Sequence, residues 1–157
     1  KVINMKELVD QNISKIFVSA GFLVFITNEQ KEFAYLAEGD CCSQSWFADI
    51  LNVKAILGKT ITKIENISLE QVGLGLSEER FAICCNEDRT LQEYDSFYCH
   101  RLYCDKNYCD VIYRNSSNGH YGGWTTLFNI NNVHESVRDK FLQKRYLVKE
   151  ITDDWTY

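Results

Sequence analysis

Between Ile16 and Ala37 the chain sets two apolar, β-branched and aromatic runs on either side of a polar turn, a pattern that calls for a β-hairpin. Ile16-Phe17-Val18 leads into Phe22-Leu23-Val24-Phe25-Ile26-Thr27. Asn28-Glu29-Gln30-Lys31 then turns the chain into Glu32-Phe33-Ala34-Tyr35-Leu36-Ala37. Strand patterns recur further on. After Gly58, Thr60 to Ile67 alternates with period two, as a half-buried strand does, and Phe81 to Cys85 reads as a buried strand. A second hairpin spans Tyr94 to Tyr113. With Asp105-Lys106-Asn107-Tyr108 as its loop, Cys104 faces Cys109, Leu102 faces Val111, His100 faces Tyr113 and Cys99 faces Arg114. Arg145 to Ile151 reads as a final strand ahead of Asp153-Asp154-Trp155.

Two segments read as helix instead. Trp46, Phe47, Ile50 and Leu51 lie at i, i+1, i+4 and i+5, the spacing of one helical face, so a short helix is expected to start near Ser43. Val133 to Leu142 is the second candidate. The expected fold class is therefore α+β: a mainly antiparallel twisted sheet with one or two short helices. The chain shows no repeat, linker or low-complexity stretch and contains no proline. One domain over residues 1–157 is expected, with residues 1–12 as an appended segment. At 157 residues, 45% hydrophobic and 13% aromatic, the chain can bury a sizeable core.

Composition also narrows function. A net charge of -5 and an isoelectric point near 5.2 argue against direct binding to nucleic acid, which depends on neutralising phosphates with Lys and Arg. No run of 18 apolar residues exists for a membrane span, so no membrane partner is expected. Lys1-Val2-Ile3-Asn4-Met5 lacks a signal peptide's apolar segment and cleavage site. Seven cysteines stand at 41, 42, 84, 85, 99, 104 and 109. An odd number with two adjacent pairs suits a reduced, cytoplasmic protein better than a disulfide scaffold. The sequons at Asn12, Asn66 and Asn115 then read as chance in an Asn-rich chain.

Two polar stretches stand apart from the core-forming runs. Gly39-Asp40-Cys41-Cys42-Ser43, followed by Trp46, and Arg114-Asn115-Ser116-Ser117-Asn118-Gly119-His120-Tyr121-Gly122-Gly123 are rich in residues that take positive φ and hydrogen-bond their own main chain. Such loops can form amide nests for anions. Arg114 at a strand end, followed by this loop, would hold a phosphate or carboxylate, with Tyr121 and Trp124 available to stack on a base. The structural alternative is a self-satisfied turn with Arg114 paired to Asp40 or Glu38.

Cys41 and Cys42 near a helix start invite a thiolate reading with His120 as base, yet no protease pattern surrounds them, and no catalytic residue is assigned. Cys99, His100, Cys104 and Cys109 are spaced unlike the ligands of most structural zinc sites. Zinc on Cys104, Cys109, His100 and one of Cys84 or Cys85 is the alternative to having no cofactor.

The paired stretches also carry a resemblance. Glu38-Gly39-Asp40-Cys41-Cys42-Ser43 with Ser45-Trp46-Phe47, and Tyr113 through Gly123, resemble the signatures of a family of small bacteriophage and prophage proteins with no agreed activity. Leu57-Gly58-Lys59-Thr60-Ile61 and Ile151-Thr152-Asp153-Asp154-Trp155 resemble further motifs of that family, so the likeness spans roughly residues 20 to 156. The chain departs at His120, where an aromatic is expected, and in the cysteine-rich region from Cys84 to Cys109. The resemblance implies a phage context. It leads to the expectation of a small binding protein in the bacterial host cytoplasm that inhibits or sequesters a host factor in counter-defence. Its contact surface would be residues 39–47 and 114–124, and its ligand a nucleotide-derived signal. The alternatives are a protein-surface inhibitor of a host nuclease or nucleic-acid-binding complex, and a thiol- or metal-dependent enzyme.

Overall fold

A computed structural model of the chain describes residues 5–39, 43–67, 94–117, 122–128 and 148–157. Eleven strands are found among them: β1 Asn12–Val18, β2 Phe22–Thr27, β3 Glu32–Gly39, β4 Gln44–Leu51, β5 Lys59–Thr60, β6 Lys63–Ile67, β7 Tyr94–Cys104, β8 Asn107–Ser117, β9 Gly123–Leu127, β10 Lys149–Ile151 and β11 Trp155–Thr156. They make two antiparallel sheets. The first runs β10-β1-β2-β3-β9, with β5 beside β10 on the same edge of β1, and the second runs β11-β4-β8-β7-β6.

The sheets face each other across one apolar core. Ile16, Leu23, Phe25 and Tyr35 of the first sheet meet Phe47, Ile50, Leu102, Val111 and Tyr113 of the second. Met5 and Leu8, around a 3-10 turn over Lys6–Leu8, join this core at 2% and 0% exposure, so the start of the described chain is packed into the sandwich. Among the described residues no helix is long and apolar enough to cross a membrane.

The α+β expectation is corrected to a two-sheet, nearly all-β fold. The residues read as a helix near Ser43 are strand β4, and helical structure among the described residues is limited to two short 3-10 turns. The cause is a bulge. Phe47 pairs with Tyr113 and Asp49 with Ile112, so Ala48 is the extra residue that puts Phe47 and Ile50 on the same inner face. Trp46 points to the other face and is also fully buried. A strand buried on both sides with one bulge thus imitates helical spacing. Residues 133–142, 81–85 and 145–147 lie outside the described residues.

The first hairpin is as expected, with residues 28–31 turning β2 into β3 and Gln30 at φ 65°. Two other readings change. The stretch from Thr60 to Ile67 is two strands in different sheets, β5 on β1 and β6 on β7, with the fully buried Ile61 between them. In the second hairpin the loop shortens to Asp105-Lys106, with Asp105 at φ 55°. Cys104 therefore faces Asn107, Leu102 faces Cys109, His100 faces Val111 and Cys99 faces Ile112. Because this shift is by two residues, every side chain keeps its face. Cys104 and Cys109 still line the core and Cys99 still points away from it.

Candidate functional site

The two polar stretches meet where β3 crosses from the first sheet to β4 in the second. Gly39 pairs with Gly123 across β3 and β9, and Ser45 pairs with Asn115 across β4 and β8. The glycine pair lies directly against the polar pair. The Ser45 hydroxyl donates to Asn115 Oδ1 at 2.8 Å, and both side chains are buried. A Cβ on Gly39 would come within 2.9 Å of Asn115 Oδ1, and one on Gly123 within 2.8 Å of Asn115 Cβ, each closer still to a serine hydroxyl. Glycine is required here because the two sheets approach closely.

Arg114 is not at a strand end. Arg114, Asn115, Ser116 and Ser117 form the last part of β8, each at 3% exposure or less. The Arg114 guanidinium lies against two rings, 4.5 Å from the Phe97 centroid and 5.2 Å from that of Trp46. This aromatic clasp sits on the face of the second sheet turned away from the shared core. Ser43 is half-buried beside Gly39, Gly122 is half-buried, and Trp124 is 38% exposed. Asp40, Cys41, Cys42, Asn118, Gly119, His120 and Tyr121 lie outside the described residues. The described flanks, Gly39 with Ser43 and Ser117 with Gly122, lie at one end of the sandwich. Glu38 accepts a hydrogen bond from Thr126 Oγ1 at 2.7 Å.

His100 bridges the sheets from the inner face of β7. Its Nδ1 is 2.7 Å from Asn66 Oδ1 and its Nε2 is 3.1 Å from Thr125 Oγ1 on β9. The Tyr113 ring lies 5.1 Å away and itself stacks on Tyr98. Both ring nitrogens are thus engaged. Among the described residues no three His, Cys, Asp or Glu side chains come together as a metal site, and Cys84 and Cys85 lie outside them. Cys99, Cys104 and Cys109 are free thiols, and burial pushes the Cys99 and Cys109 thiols well above their ordinary range.

Burial also lowers His100 to a pKa of about 4. The unfolded chain takes up this proton near pH 6.5 while the folded protein resists it, so stability is full above pH 6.5 and falls as pH drops toward 4. Urea unfolding should lose about 2 kcal/mol between roughly pH 7.5 and pH 5 from this group. His100→Gln should flatten that slope; an unchanged slope in the variant would assign the effect elsewhere.

The sequence missed Phe97 as one jaw of the Arg114 clasp and Thr125 as the partner of His100. Neither has a local signal, because both meet their partners only through sheet pairing. Residues 6–127 match the family model described as "Domain of unknown function (DUF7448)". No curated protein and no solved structure matches the chain.

Proposed function

We propose, from the premise that this chain belongs to the DUF7448 family, that it is a binding protein of phage type. It acts in the bacterial host cytoplasm by occupying or sequestering a host factor. The contact surface is the end of the sandwich where residues 39–47 and 114–124 come together. One observation carries this reading: Gly39 pairs with Gly123 and Ser45 with Asn115, so residues 70 or more positions apart in the chain share one corner. A rigid two-sheet frame presenting paired polar loops is a common way to build a binding surface.

The ligand is a nucleotide-derived anion. Arg114, fully buried and clasped by Phe97 and Trp46 on the outer face of the second sheet, ties β4, β7 and β8 together next to the corner. Trp124 offers an exposed indole for stacking on a base. Arg114 is a positioning residue in this reading, and the polar residues of the loops make the contacts.

Linear and cyclic nucleotides should be screened by thermal shift against the purified protein, since a ligand bound only to the folded state raises Tm by mass action. One nucleotide class should raise Tm, and Trp124→Ala should reduce that shift while leaving the unliganded Tm in place. A flat panel would remove the nucleotide reading. A protein partner is the second reading, favoured by Trp124 and Leu127, each 38% exposed on β9, the last strand of the first sheet among the described residues. It predicts capture of a host protein that Trp124→Ala weakens. Retained biological effect in Cys42→Ala and His120→Ala would set aside thiol chemistry.

A further inference from the structure

A cavity of about 390 Å³ opens on the outer face of the first sheet, lined by Lys15, Phe17, Val24, Ile26, Gln30, Glu32 and Val148. This volume lies within the roughly 300–1,000 Å³ of small-molecule sites. The cavity is independent of the corner described above. It lies at the start of β3, at Glu32, whereas the corner lies at Gly39, seven residues or about 23 Å along the same strand.

Sheet register explains its shape. Lys15 pairs with Ile26, which pairs with Glu32, giving a row with a charge at each end; Phe17, Val24 and Ala34 form the next row. A bulge between Ile13 and Lys15 turns Lys15 outward while Ile13 and Ile16 stay in the core. The floor is thus apolar and continuous with the second cluster of Phe22, Val24, Ala34, Leu36 and Phe128. The charges on the rim differ in their state. Glu32 already has an interaction of its own, whereas exposed Lys15 forms no ion pair among the described residues.

We infer that this cavity binds a small apolar carboxylate, with its hydrocarbon part over Phe17, Val24, Ile26 and Val148 and its head group against the Lys15 ammonium. Apolar area supplies the affinity and Lys15, the one cation of the described lining, supplies head-group selection. Lys15 is exposed, so replacing it leaves the fold intact.

The test uses decanoate, decylamine and decanol below their aggregation concentrations, followed by NMR of isotopically labelled protein. Decanoate should shift the methyl signals of Val24, Ile26 and Val148 and bind best of the three. Lys15→Glu should weaken decanoate about tenfold and make decylamine the better ligand. Equal binding of all three probes in the unsubstituted protein, unchanged preference in Lys15→Glu, shifts confined to other residues, or no binding would each overturn the inference. A flat nucleotide panel would leave it untouched, since the two sites share no residue.

Discussion

Asp110→Ala should cost about 3–5 kcal/mol of folding stability, out of the 5–15 kcal/mol of a typical domain. Arg101 and Asp110 stand directly opposite each other on β7 and β8, at 9% and 4% exposure. Arg101 Nε donates to Asp110 Oδ1 at 2.8 Å and Nη2 to Oδ2 at 3.0 Å, so the pairing is bidentate. The guanidinium also lies 3.8 Å from the Tyr108 ring centroid. Removing the carboxylate leaves a desolvated cation without its bidentate partner, and the loss of that compensation makes the change severe. The pair itself is a different quantity. Arg101→Met with Asp110→Leu fills the same space with apolar groups and should recover most of the loss, because the desolvation cost goes with the charges. Urea midpoints of the wild type, both single variants and the double variant would measure the coupling. A loss under 1 kcal/mol in Asp110→Ala would place this pair with the exposed Lys31–Glu29 and Lys54–Asp153 pairs, for which little effect is expected.

Gly123→Ala should cost about 3 kcal/mol, the upper end of what overpacking typically does. The new methyl would collide with the Ser45 hydroxyl and stand 2.8 Å from Asn115 Cβ and 3.1 Å from its Cγ. Two of these atoms belong to the root of a buried side chain on a central strand, which cannot swing aside. The three atoms nearest a Gly39→Ala methyl are two serine hydroxyls and the Asn115 amide oxygen, all at the ends of side chains, so a smaller loss is expected there. Adding Ser45→Ala to Gly123→Ala removes the nearest obstacle while breaking the 2.8 Å hydrogen bond to Asn115, and should restore only part of the stability. Thermal unfolding of the four proteins tests this ordering. Equal losses at both glycines would mean that the sheets can separate at this corner. Gly21, whose Cβ would meet nothing within 4 Å, provides the control, and Gly21→Ala should be nearly neutral.

The local sequence determined the strands that alternate cleanly and the turns that join them. The β2–β3 hairpin, the partnership of β7 with β8 and the facing of Cys99, Cys104 and Cys109 follow from period-two patterning, which survives a register shift of two. The glycines of the two polar stretches read locally as places of backbone freedom, whereas neither Gly39 nor Gly123 has a positive φ and what both supply is close approach of the sheets. Tertiary structure decided the rest. A bulge at Ala48 made a strand look helical, because spacing records only which residues are buried and β4 is buried on both faces. The division of residues 59–67 between two sheets depends on partners at β1 and β7, distant in sequence from each other. Arg114 reads locally as a strand-end cation, yet pairing with β4 and β7 places it between Trp46 and Phe97. Non-local pairing decides where a polar residue on a strand ends up, and no window along the chain contains its partners.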